Sequence, residues 1–238
     1  MDLYYKKLKD VAEFKDGGDF IGQFLRNGPD TKFTSLITAP YEERITSGIG
    51  WSYGSEWMLR KREGNTTGWL GYTLSYARRQ LEGVNNNKSF PYSYDSRHNI
   101  ATVVNHKLSK KLSVGGNWSY RSGYVGTVPV TTYKAFIEPA PYNPYGGTSY
   151  NPDNIDYLPE RNNFRMPSYH RLDLSLTHVK LKKWGERSWN ISIYNAYNRQ
   201  NPYSLEMKKS NTGQGFKRDL SQIALFPVLP SFSYGFKF

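Results

Sequence analysis

Apolar and polar residues alternate along long stretches of this chain, with a period of two. Leu70, Tyr72, Leu74 and Tyr76 interleave with Trp69, Gly71, Thr73, Ser75 and Ala77. Leu112, Val114, Gly116, Trp118 and Tyr120 interleave with Lys111, Ser113, Gly115, Asn117, Ser119 and Arg121, and Leu172, Leu174 and Leu176 with Arg171, Asp173, Ser175 and Thr177. Successive side chains on a strand point to opposite sides, so this alternation specifies strands with one apolar face and one small or polar face. Weaker versions run through Trp51, Tyr53, Trp57 and Leu59, then Ile100, Thr102 and Val104, then Trp189, Ile191, Ile193 and Tyr197. The last run carries Phe226, Val228, Phe232, Tyr234, Phe236 and Phe238 on one face. With a first strand somewhere in residues 2 to 14, the pattern predicts about eight strands.

Strand length and spacing narrow the class. Several runs extend for roughly 12 to 16 residues, against about five or six in globular sheets, and a tilted strand crossing a bilayer needs about 9 to 11. The breaks between runs alternate: long at about 15 to 48, short at Glu63–Thr66, long at about 81 to 95, short at Leu108–Lys111, long at about 127 to 165, short at Lys182–Gly185 and long at about 200 to 220. Outer-membrane barrels join strands in this way, with short periplasmic turns and longer outer loops. The expected fold is therefore all-β: an antiparallel transmembrane β-barrel segment of about eight long strands, with both termini at the periplasmic end. The inward set is mostly small, which underfills a closed eight-stranded barrel and suits a wider one.

Composition removes other classes. Mean hydropathy is -0.71, and no uninterrupted apolar run approaches the roughly 20 residues of a spanning helix. Aromatic residues make up 16% of the chain, which argues against disorder, and there is no Cys for a disulfide scaffold. The opening residues Met1 to Asp10 lack the apolar core of a secretory signal, so the chain is expected to be cytosolic or to lack its beginning. A net charge of +12 points to a polyanionic partner: nucleic acid, a phosphate-bearing membrane surface or an acidic substrate. Basic residues gather beside the short turns, at Arg60 to Arg62, at Lys107, Lys110 and Lys111, and at Lys180, Lys182 and Lys183, where lipid headgroups would meet them. Trp51, Tyr53, Tyr120, Trp189, Tyr197 and Tyr234 sit near strand ends on the apolar face, as an interfacial aromatic girdle requires.

Three segments carry a family resemblance: Arg165-Met-Pro-Ser-Tyr-His-Arg-Leu-Asp173, Lys183 to Pro202 with its Ser-Ile-Tyr-Asn-Ala-Tyr-Asn run, and Ile223 to Phe238. Together with Gly48 to Arg62, Gly68 to Tyr76 and Phe90 to His98, they resemble the C-terminal end of TonB-dependent outer-membrane receptors. The likeness is to the subgroup that begins with a carboxypeptidase-regulatory-like domain. It implies a barrel of about 22 strands filled by an N-terminal plug, and ligand uptake energised through TonB. On that reading residues 1–238 are the C-terminal portion of the barrel, without plug, TonB box or signal peptide, and not competent for transport alone. The resemblance also assigns Phe232, Tyr234, Phe236 and Phe238 to a terminal signal for the barrel assembly machinery. The implied partners are outer-membrane lipid and lipopolysaccharide, the missing N-terminal part of the receptor, and TonB through that part only; nucleic acid is not among them.

Catalytic chemistry leaves little trace. His98 and His106, and likewise His170 and His178, are eight residues apart, about 27 Å along a strand, which is too far for a shared metal. No nucleophile elbow, zinc-protease or phosphate-loop motif occurs, so neither an enzyme nor a cofactor is expected. The loop of residues 127–165 sets Tyr142, Tyr145 and Tyr150 among six prolines, and rigid aromatics on such a loop suit ligand capture; a self-packed surface loop is the plainer reading. Two rival functions stay open. One is a self-contained eight-stranded outer-membrane barrel with a structural or adhesion role. The other is a soluble basic β-rich module that binds nucleic acid by stacking and charge.

Overall fold

The computed structural model describes residues 1–15, 41–134, 154–211 and 216–238. Its centre is a meander of eight antiparallel strands: β1 (Asp2–Leu8), β2 (Gly48–Lys61), β3 (Thr66–Leu81), β4 (His98–Lys107), β5 (Leu112–Arg121), β6 (Tyr169–Lys182), β7 (Gly185–Tyr194) and β8 (Leu229–Lys237). Each strand pairs with the next in sequence, so spatial order equals chain order. Among the described residues neither β1 nor β8 has a second neighbour, and the sheet is open at both edges.

The registers carry the two-residue period across the whole sheet. Directly opposed residues share a face, and the pairs run Tyr5 to Tyr53, Tyr53 to Tyr76, Tyr72 to Ile100, Ile100 to Tyr120, Trp118 to Leu172, Leu176 to Ile191 and Ile191 to Phe232. One apolar face therefore extends over all eight strands. On the other face Met58 opposes Gly71, Gly71 opposes Ala101, Ala101 opposes Ser119, Asn117 opposes Asp173, Ser175 opposes Ser192 and Ser192 opposes Ser231. Small side chains and hydroxyls dominate there.

No described element packs face-on over this sheet. Leu174, Ile191, Phe232 and Phe236 are all exposed, and among the described residues the only cluster of buried apolar side chains, Leu81, Val84 and Phe90, lies where β3 runs into the second long connection. An ordinary soluble sheet buries its apolar face against another layer; this one leaves it open.

The connections alternate as the spacing predicts. Residues 62–65, 108–111 and 183–184 close short turns at one end, where the β1 and β8 termini also lie, and residues 9–47, 82–97, 122–168 and 195–228 connect strands at the other. The long connections hold structure that the alternation did not reveal. Pro202–Asn211 pairs with Phe216–Ala224, Thr131–Lys134 with Asn154–Tyr157, Val125–Gly126 with Phe164–Arg165, and Glu13–Phe14 with Ile45–Thr46.

Two expected strands are shorter than the pattern suggested. The first ends at Leu8, since Asp10 turns the chain with a φ of 53° before Glu13–Phe14 pairs elsewhere. The last begins at Leu229, since Phe226 holds a φ of 58° and gives its carbonyl to the Asn195 side chain.

Candidate functional site at the long-loop rim

Three carboxylates organise the end of the sheet that bears the long connections. The first is Glu13, which accepts from Arg79 at 2.7 Å and pairs with Arg161 at 3.1 Å. Strand β3 is thereby tied to the first and third connections.

The second is Asp95, nearly fully buried. One of its oxygens accepts the Ala77 backbone N–H at 2.8 Å, and the other is bound by Arg165. The same guanidinium donates to the Asp95 carbonyl at 2.6 Å and to the Gly123 carbonyl at 2.7 Å. One ion pair thus closes β3, the second connection and both arms of the third onto each other. Gly123 is needed there, because a Cβ would run into the Met166 carbonyl oxygen. Nearby, the Asn162 side chain donates to the Pro91 carbonyl at 2.7 Å.

The third is Asp173 on β6. It accepts from Arg171 at 2.9 Å and 3.0 Å, and from the Asn195 N–H at 3.0 Å. Asn195 is fully buried in the left-handed region at φ 53°. Its amide donates to the carbonyls of Arg199 and Phe226 and accepts the Arg199 N–H, which folds the last connection back over the end of β7. Asparagine suits the site, since it tolerates that backbone conformation and satisfies three backbone groups at once.

Between these nodes the polar face carries an alternating ladder of tyrosines and guanidiniums. Arg121 lies 4.3 Å from the Tyr124 ring and 5.7 Å from the Tyr169 ring. Arg171 donates to the hydroxyls of Tyr169 at 3.0 Å and Tyr194 at 2.7 Å, and sits 4.1 Å from the Tyr194 ring. The registers of β5, β6 and β7 put Arg121, Tyr169, Arg171 and Tyr194 on the same face. Planar cations between rings make a stiff surface. Such a surface offers ring faces, phenol hydroxyls and positive charge to a flat or cyclic ligand with an anionic group.

The apolar face has its own order. Toward the long-loop end Tyr53 stacks on Tyr76 at 5.2 Å, Tyr72 shares a 3.0 Å hydrogen bond with His98, and His170 shares one of 2.7 Å with Tyr197. Toward the short-turn end His178 meets Trp189 at 5.4 Å, Trp189 meets Tyr234 at 5.6 Å, and Thr66 shares a 2.7 Å hydrogen bond with His106. Each of the four histidines thus stands at one end of the apolar band beside a Tyr, Trp or Thr.

The residues singled out in the sequence fall as follows. Phe232, Tyr234 and Phe236 line the apolar face of β8, and Phe238, just past its end, packs against Phe236 at 5.3 Å and Trp184 at 5.9 Å. Tyr142, Tyr145 and Tyr150 lie outside the described residues. The tyrosine–arginine ladder and the Asp95 node were not found from the sequence. The ladder's one local signal is the recurrence of Arg121, Tyr169, Arg171 and Tyr194 at the loop-side ends of polar-face positions.

Comparison with known proteins found no family model, no curated protein and no solved structure that matches this chain.

Proposed function

We propose that the chain is the C-terminal portion of the β-barrel of a TonB-dependent outer-membrane receptor, serving ligand-gated uptake and not catalysis. The observation that carries the membrane part of this reading is the single apolar face, continuous through the registers of eight strands and uncovered by any described element. Lipid is the cover that this face fits. Its vertical order supports the same assignment, since His170 and His178 bracket Leu172, Leu174 and Leu176 over about 27 Å of strand, which at a tilt of about 40° is roughly 21 Å of height, near the apolar band of roughly 25 Å of outer-membrane barrels.

The open edges support a part of a wider barrel over a self-contained one. A sheet crosses lipid only when every backbone group is paired, so β1 and β8 need further strands. Eight strands curling on themselves would also leave Gly71, Ala101, Ser119 and Ser231 to fill a narrow interior meant for packed side chains. In a wide barrel they face water or a plug. The receptor family itself rests on the resemblance of the segments around Arg165 to Asp173, Lys183 to Pro202 and Ile223 to Phe238.

An antibody against the last strand, used on separated outer membranes and soluble fractions, tests this. The expected result is one reactive band in the membrane, well above 27.5 kDa. A membrane band near 27.5 kDa makes the chain a self-contained barrel. The same band in the soluble fraction removes the membrane assignment altogether.

A further inference from the structure

At the short-turn end of the apolar face, two cations oppose each other where charges of the same sign repel. Lys180 of β6 lies directly across from Arg187 of β7. No carboxylate among the described residues pairs with either one. The adjacent Glu186 opposes Leu181 and Lys237, which puts it on the other face. The Arg187 guanidinium sits 4.8 Å from the Trp184 ring, and its Nε is sealed from solvent with no hydrogen-bond partner among the described residues. On the far side of Arg187, in the β7–β8 register, stands Phe236.

Position decides what would relieve this pair. The neighbouring rung toward the middle of the sheet is His178, Trp189 and Tyr234, the amphipathic side chains that favour a lipid interface. Two residues along a strand is about 7 Å, so the cations lie one step outward from that rung. Under the membrane reading, on which this inference rests, that step is the phosphate layer.

We propose that Lys180, Arg187 and Trp184 form a binding site for the phosphate of a phospholipid headgroup, in the leaflet that meets the short turns. The guanidinium presents a planar fork to two phosphate oxygens, and Lys180 adds a compact charge from the opposite strand. Trp184 covers the guanidinium, and the acyl chains continue onto Leu176, Ile191 and Phe232 on the same face. That continuity marks the anion as one carried by a lipid rather than a free phosphate.

The test uses the protein extracted from membranes at its native size, reconstituted first into phosphatidylcholine vesicles and then examined by native mass spectrometry in detergent with added phosphatidylglycerol. The wild type is expected to float with the vesicles and to retain a phosphatidylglycerol molecule that soluble glycerol phosphate does not displace. K180Q/R187Q is expected to retain about thirtyfold less, from the removal of two interfacial cations. K180R/R187K, which keeps both charges, and K182Q/K183Q, which neutralises the adjoining lysines, should retain the lipid. Equal retention in K180Q/R187Q, or a similar loss in K182Q/K183Q, overturns the site. Displacement by glycerol phosphate at equal concentration overturns the lipid as its occupant. If the wild type floats, the membrane reading stands whatever the lipid result; if it does not, that reading and the site fall together.

Discussion

Replacing Asp95 with alanine should destabilise the protein by about 3–5 kcal/mol, the range for removing one partner of a buried ion pair. The carboxylate is almost fully enclosed, and its loss orphans the Ala77 N–H while leaving Arg165 without its counter-charge. Arg165 would still reach the carbonyls of Asp95 and Gly123, but a guanidinium held by neutral acceptors alone pays the full desolvation of its charge. Asp95→Asn keeps an acceptor for Ala77 and should fall between the two. Denaturant unfolding in detergent micelles, followed by tryptophan emission, reads the difference. A loss below about 1 kcal/mol, the scale of an exposed pair, would contradict the clamp. Repeating the alanine change in an Arg165→Ala background should show a smaller loss, since only Arg97, at 3.7 Å, then loses its counter-charge.

The second large effect separates the two faces of one strand. Leu174 stands midway between His170 and His178 on the apolar face, and Ser175 is its neighbour on the polar face. Leu174→Arg should cost about 2–4 kcal/mol in a bilayer, the penalty for a cation at the lipid-facing midplane of a barrel. Ser175→Arg, a larger change in volume, should cost far less, because on the proposed reading water or a plug meets it. Both can be read as the denaturant dependence of folding into vesicles. Equal costs at the two positions would remove the assignment of faces.

Much of the sheet was legible because its signal is local. Leu172, Leu174 and Leu176 declare a face within six residues, and the alternation of long and short breaks orders the strands once each is found. The registers then bear out which residues share a face, down to the small set at Gly71, Ser75 and Ser119. The rim was not legible, for a physical reason. The partner of Asp95 is 70 residues away, and that of Glu13 at Arg79 is 66 away, so no periodicity connects them. The hairpin from Pro202 to Ala224 is likewise not legible in the sequence, its first strand opening on a proline and carrying Lys208 and Lys209 in place of an alternating apolar set. Asn195 shows the same limit. Its side chain matters through the backbone groups of Arg199 and Phe226 that the fold brings to it, and nothing in the residue's own neighbourhood announces them.

On the proposed reading the even-numbered positions of β6 face lipid. Nitroxide labels placed one at a time from residue 171 to residue 177, in the protein reconstituted into vesicles, test it through their collision rates with oxygen, which concentrates in the bilayer, and with a water-soluble nickel chelate. A two-residue alternation is expected, with 172, 174 and 176 open to oxygen and 171, 173, 175 and 177 shielded from it. Uniform exposure to nickel along the segment, or an alternation of the opposite phase, would contradict it.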